Sequence, residues 1–280
     1  MIGYCLALFI LKSLEWTPLP LAHRLARGYT RLLDLTVPRL RRVAYENLAF
    51  ALPGADHHRI VDGVFRSIAR VLVAFARFPR MEPLRCEGGE YFQEALRAGR
   101  GVLFATAHLG NWELSAHAHA LLTGPMHVLV RPLDNPRIDA LVERRRALSG
   151  NRVIGKKDSA RAILKALAAN EAVGILIDQN TAIDEGVFVD FFGKPASAGA
   201  GFVKLAARSG AAVIPGFALW MEKEQGYVLR FYPPVPMSGD TARDTQALHS
   251  KLEEIIRAYP DQWLWIHRRW KNQPEGAGGP

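Results

Sequence analysis

The chain has two cysteines in 280 residues, Cys5 and Cys86. So few, so far apart, build neither a disulfide framework nor a cysteine-based zinc pattern, and they fit a reducing, cytosol-facing compartment. There is no HExxH, and His117 and His119 stand two apart in a helical stretch, pointing to different sides. No G-x-S-x-G occurs, and Ser197 in "PASAGAG" lacks the spacing of a nucleophile elbow. The neighbouring "GAGF" lacks the spacing of a phosphate-binding P-loop. Repeats and low-complexity linkers are missing too, and only the terminal "QPEGAGGP" reads as disordered. Negative charge is scarce: 27 acidic against 36 basic residues leave a net +9. That balance points to an anionic partner, whether nucleic acid, phospholipid surface or phosphorylated substrate. A nucleic-acid partner is not expected, because the basic residues do not interleave with aromatics outside "HRRWK" and no RNA or DNA motif occurs.

Long apolar runs are also lacking. "MIGYCLALFIL" is uncharged but is cut off by Lys12 and Glu15, short of the roughly 20 residues a spanning helix needs. No basic residue precedes it and no clear cleavage site follows, which argues against a signal peptide. Next come Arg24, Arg27, Arg31, Arg39, Arg41 and Arg42, opposed only by Asp34 and interleaved with Leu21, Leu25, Leu32 and Leu35. An apolar face beside a basic face is what an anionic membrane surface selects. Residues 1–22 are therefore read as a membrane-associating segment. The alternative is an amphipathic helix capping the core, with its arginines in water.

The chain is rich in apolar residues, 49%, too many for a disordered protein. To about residue 98 it reads as helical, with residues 54–78 its longest helix. Beyond that, apolar runs of strand length (101–107, 126–131, 152–155, 172–177) alternate with helical stretches, one of them expected over 196–210. Two further strands are expected in "AVIPGFALW" and "GYVLRFYPPV", then a helix over 241–259. The fold class is α/β: helices around a largely parallel central sheet, preceded by the helical membrane-associating region. Residues 23–271 read as one domain and 272–280 as a disordered tail.

Ligands of such sheets bind outside the carboxyl ends of the strands. His108 directly follows the run 101–107, Arg131 ends 126–131 and Asp178 follows 172–177. Parallel strands would bring all three to one edge. In "AHLGNWEL", residues five apart cannot meet on one regular helix. If His108 ends the strand and Gly110 turns the chain, Glu113 falls in the first turn of the next helix. A carboxylate is favoured there by the helix dipole in any case. A carboxylate on one imidazole nitrogen would make the other a base for an attacking hydroxyl. Asn111 is expected to cap the helix and Trp112 to pack.

These residues resemble a known family. "AHLGNWEL" is similar to the His-x4-acid motif of the lysophospholipid acyltransferase superfamily, and within it to the bacterial lipid A late (secondary) acyltransferases. The resemblance extends through "RRVAYENLAFALPG", "VRPLDNPRID", "GILIDQN", "GVFVDFFGKPASAGAG", "GAAVIPGF" and "DQWLWIHRRWK", about residue 20 to 271. It implies that His108 is the general base and Glu113 its partner, with Arg146 and Asp178 binding substrate. Arg131 is implied to contact phosphate or the acyl donor, with a surface ion pair as the alternative. Arg144 and Arg145 are expected on a solvated helix. Phe191, Phe192 and Gly193 resemble part of an acyl-groove wall, and core packing explains them equally.

The activity so implied is transfer of a fatty acyl chain from a thioester donor to a hydroxyl of a lipid A precursor, without metal or cofactor. The donor would be acyl carrier protein, whose acidity suits a basic chain. The alternative is acyl-CoA with another acceptor, such as a glycolipid, phosphatidylinositol mannoside or lysophospholipid. The resemblance implies the cytoplasmic face of the inner membrane, with the chain peripheral or anchored through its N-terminus. An inactive membrane-binding module of the same fold is disfavoured by the intact set His108, Glu113, Arg146 and Asp178.

Overall fold

The computed structural model describes residues 1–155 and 159–274. Four helices open the chain: α1 (Ile2–Trp16), α2 (Leu19–Thr36), α3 (Pro38–Ala51) and α4 (His57–Ala76). A short strand β1 (Arg85–Glu87) and helix α5 (Gly89–Arg97) lead into alternating units. These are β2 (Val102–Thr106), α6 (Trp112–Thr123), β3 (His127–Val130), α7 (Pro136–Arg146), β4 (Arg152–Gly155), α8 (Ser159–Ala168) and β5 (Ala172–Leu176). A hairpin of β6 (Gly186–Phe191) and β7 (Lys194–Gly199) follows, then α9 (Gly201–Ser209), β8 (Ala212–Met221), β9 (Gly226–Phe231) and α10 (Thr241–Ala258).

Seven strands form one sheet in the order β1-β9-β8-β2-β5-β3-β4. From β8 to β4 every neighbouring pair is parallel; β9 runs antiparallel to β8, and β1 is parallel to β9. The expected α/β fold with a largely parallel sheet is what forms. Strand β2 serves both faces, because successive side chains alternate. Val102 and Phe104 join Phe92 of α5 and Leu114 and Ala118 of α6, while Leu103 and Ala105 join Ile163 of α8 and Phe202 of α9. Burial on both sides explains why its sequence is a continuous apolar run rather than an alternating one.

Two expectations fail locally. Residues 196–210 do not form a single helix: 196–199 belong to β7, paired antiparallel with β6 from Gly186↔Gly199 to Phe191↔Lys194. Ala196, Ser197 and Ala198 are buried in that hairpin, so tertiary pairing overrides the helix propensity of alanine. Strand β1 lies inside the part read as helical; it is three residues long with no apolar run to announce it.

The N-terminal helices dock on α4. Leu11 and Leu14 of α1 and Ala22 and Ala26 of α2 pack with Ala69, Val73 and Ala76. Residue 22 is therefore no packing boundary. Leu6, Phe9, Trp16, Leu19, Leu21, Leu25, Leu32 and Leu35 remain exposed, as do Arg24, Arg27, Arg31, Arg39 and Arg42. Arg41 leaves this basic group to bind Asp34 and Asp62. Among the described residues no helix is long and apolar enough to cross a membrane. At the other end, Asn272 donates to the Thr181 carbonyl at 2.7 Å, so the chain is still packed where a tail was expected to begin. Residues 275–280 of that tail lie outside the described residues.

Candidate active site

The edge predicted from strand order forms. Strands β2, β5 and β3 are parallel neighbours, so His108, Asp178 and Arg131 follow strand ends on the same side of the sheet. His108 and Asp178 meet there. The His108 Nδ1 lies 2.9 Å from Asp178 Oδ1, and the His108 main-chain N–H donates to Asp178 Oδ2 at 2.9 Å. Trp263 completes the arrangement, its Nε1–H donating to Asp178 Oδ2 at 2.9 Å. Asp178 is thus 3% exposed with both oxygens engaged. Burial alone would raise its pKa; the His108 charge and these N–H donors outweigh it and hold the carboxyl well below the usual range. For His108, burial favours the neutral ring, but the Asp178 carboxylate wins and the pKa rises above the ordinary value.

This corrects one expected contact. Glu113 is not the hydrogen-bond partner of His108. Arg146 takes both Glu113 oxygens, its Nε donating to Oε2 at 2.9 Å and its Nη2 to Oε1 at 2.5 Å. Glu113 lies in the first turn of α6, within reach of the guanidinium that ends α7. Its charge still acts on His108, but after that of Asp178. Asp178, implied to bind substrate, is buried here with its oxygens bonded to His108 and Trp263. Arg131 follows β3 and is exposed. Arg145, expected in solvent, is buried: it binds Glu15 of α1 at 2.7 Å and the Ala76 carbonyl of α4 at 3.2 Å.

The local backbone explains the geometry. Gly110 has φ +63°, and a Cβ there would lie 2.2 Å from the Ala218 carbonyl oxygen. Only glycine fits this turn. Asn111 then caps α6 as expected, its Oδ1 accepting from Leu114 N at 3.0 Å. The C-terminal "DQWLW" segment clamps the turn: Gly110 N donates to Gln262 O, and Leu264 N donates to His108 O, each at 3.0 Å. Trp112 meets the His108 ring edge-on at 5.1 Å. Trp263 was not singled out from the sequence, although it stands in a block that carried the resemblance.

Beside the dyad a cavity opens between the sheet and α6. Trp112, Glu113 and Arg146 line it together with Phe78, Phe104, Met126 and Phe231. Its empty volume is about 740 Å³, open mouth included. Phe191 and Phe192 do not line it; they pack with Trp263, Trp265 and Trp270 in the core. Among the described residues no group of three or more His, Cys, Asp or Glu is placed to hold a metal ion.

The chain is similar to a lipid A biosynthesis acyltransferase of Haemophilus influenzae, 24% identical over 98% of this chain and 89% of the relative. It is 28% identical to the lipid A biosynthesis lauroyltransferase of Escherichia coli, over 93% of this chain and 88% of the relative. A phosphatidylinositol mannoside acyltransferase of Mycolicibacterium smegmatis is 29% identical over 81% of this chain and 68% of the relative. A family profile described as bacterial lipid A biosynthesis acyltransferase matches residues 1–272, and with the dyad and cavity in place, the chain belongs to that family of acyltransferases.

Proposed function

We propose that the chain moves a fatty acyl group from a carrier-bound thioester to a hydroxyl of a lipid A precursor at a membrane surface, with His108 as general base. The observation that carries this reading is the His108–Asp178–Trp263 arrangement beside an apolar cavity. Asp178 occupies Nδ1, which leaves Nε2 to face the acceptor. Nε2 takes the acceptor's proton as its oxygen attacks the thioester carbonyl. The tetrahedral adduct collapses, the C–S bond breaks, and the imidazolium returns the proton to the leaving thiolate. The acyl chain lies in the cavity, out of water.

Arg146 has a smaller part than expected. A guanidinium already neutralised by Glu113 offers little to a phosphate, so the pair acts as a brace at the cavity mouth. Arg131, exposed beyond β3, is the better candidate for the acceptor's phosphate. The exposed leucines and arginines of α1 and α2 hold the protein on the inner, cytoplasmic face of an anionic membrane.

The similarity to a phosphatidylinositol mannoside acyltransferase keeps one second reading, acyl-CoA with a different glycolipid. Purified protein is assayed with carrier-protein and CoA thioesters of one chain, against lipid A precursor and the other acceptors. The expected result is preference for the carrier donor and the phosphorylated disaccharide lipid. Preference for acyl-CoA with another acceptor would overturn the substrate assignment and leave the His108 chemistry standing.

A further inference from the structure

The cavity is not uniformly apolar. Two polar atoms in its wall are buried with no hydrogen-bond partner, Thr106 Oγ1 and His117 Nδ1. Buried polar atoms are nearly always paired, and one left unpaired is costly. Asn151, His119, Glu113 and Arg146, also of the wall, are engaged. Asn151 accepts from Met126 N and donates to Ala116 O; His119 bonds Thr123; Glu113 and Arg146 hold each other.

His117 is held firmly. It is 4% exposed, its ring lies flat on Phe78 at 4.2 Å and 11°, and it hydrogen-bonds to the Phe78 main chain. Burial lowers its pKa, so the ring is neutral. A neutral imidazole that donates from one nitrogen has an acceptor at the other. Thr106 shares its face of β2 with Val102 and Phe104, the face that looks toward α6. It stands two residues before His108, so the two Cα atoms are within about 7 Å. His117 follows Glu113 by one helical turn on the same side of α6, about 6 Å along the axis. Both unpaired atoms therefore stand about one helical turn or less from residues of the candidate site, Thr106 from His108 and His117 from Glu113, in a wall that Phe104, Met126 and Phe231 also line.

We propose that the acyl chain this cavity takes carries a hydroxyl on one of the carbons nearest the thioester, donating to His117 Nδ1 and accepting from Thr106 Oγ1. This rests on the acyl-transfer reading only in that the cavity holds the donor's chain. A hydroxyl set against the Phe104, Met126 or Phe231 side chains would find nothing there to bond.

The test measures two things with the full chain. Transfer is followed for dodecanoyl thioesters that are unsubstituted, 2-hydroxylated, 3-hydroxylated or hydroxylated at the far end. Equilibrium binding is measured with the unreactive thioether analogues. The expected result is that the 2- or 3-hydroxy chain is preferred over the unsubstituted chain by at least about tenfold, short of the about 10⁴-fold reached by fully enclosing hydroxyl sites. The far-end hydroxyl should be disfavoured. Thr106→Val and His117→Phe should each reduce the preference, and together bring it near one. Because each variant is judged by a ratio, partial misfolding lowers both arms alike. Equal or better binding of the unsubstituted chain would overturn the proposal, as would a preference that survives the double variant; ordered water would then be satisfying both atoms. Preferred binding of hydroxylated thioethers without transfer of any thioester would uphold this proposal and refute the acyl-transfer reading instead.

Discussion

His108 sits between two opposed influences, burial that favours its neutral form and a carboxylate that favours its charged one, and the carboxylate prevails. A base works only when unprotonated. The acidic limb of the activity profile should therefore lie above the ordinary histidine value of 6.5, with activity rising as pH increases through it. Replacing Asp178 by Asn removes the larger raising influence and leaves burial and the weaker Glu113 charge, so the limb should move down while the rate falls by about 10²- to 10⁴-fold. A pH–rate profile with an unmoved limb would separate Asp178 from the chemistry. The same interaction bears on stability, counted once for the pair. The histidine side is fully present below its unfolded pKa and is lost as pH rises through the raised folded one. The aspartate side is present above its unfolded value and is lost only in strong acid. His108→Ala should lose about 10²- to 10⁴-fold in rate and also lower the melting temperature, because it leaves the buried Asp178 carboxylate without its imidazole; near-normal turnover by the folded fraction of that variant would remove His108 from the mechanism.

At the scale of elements, the turn between β2 and α6 is the part that tolerates least. Gly110→Ala pushes a methyl into the Ala218 carbonyl at a left-handed residue and should destabilise by at least ~1–3 kcal/mol, read as a lowered denaturant midpoint together with lost activity. The Glu113–Arg146 pair joins the start of α6 to the end of α7, with side chains 14% and 22% exposed. Glu113→Gln leaves that arginine without its charge partner. The expected cost is about 1–3 kcal/mol, between exposed and fully buried pairs. It should shift the acidic limb less than Asp178→Asn does, because Asp178, not Glu113, bonds the ring. A larger shift in Glu113→Gln would return the partner's role to Glu113.

For the whole molecule, α1 and α2 serve two surfaces at once. Their inner sides complete the packing on α4, and Glu15 pairs with the buried Arg145. Their outer sides present leucines and arginines. Deleting residues 1–22 would therefore damage the fold as well as membrane attachment, and cannot tell the two apart. Replacing Leu6, Phe9, Leu21 and Leu25 with serine leaves the packed side intact. It should release protein from anionic vesicles with little change in melting temperature, each lost apolar side chain weakening binding by up to ~1–3 kcal/mol. Co-sedimentation unchanged by the four substitutions would discard this surface as the attachment face. High salt should remove much of the wild-type protein if the arginines dominate and little if apolar insertion does.

Patterns of short range carried much of this in the sequence alone. Apolar runs of strand length between amphipathic stretches specify a parallel α/β sheet, because strands buried on both faces must be apolar throughout. Strand ends then place His108, Asp178 and Arg131 on one edge, and Gly110 and Asn111 mark the turn and the cap. The resemblance implied Glu113 as the partner of His108, whereas the ring bonds Asp178. Glu113 is five residues away and Asp178 is seventy, yet β2 and β5 are hydrogen-bonded neighbours and the nearer carboxylate is drawn off by Arg146. Contacts of that range have no local signature. The same holds for Trp263, which reaches the site only when the C-terminal segment folds over the turn, and for Arg145, whose charge is drawn inward because Glu15 of α1 waits there. Local propensity decides where a helix or strand can form. Which buried charges meet is decided by the packing of elements distant in sequence, since an unpaired charge is what the interior tolerates least.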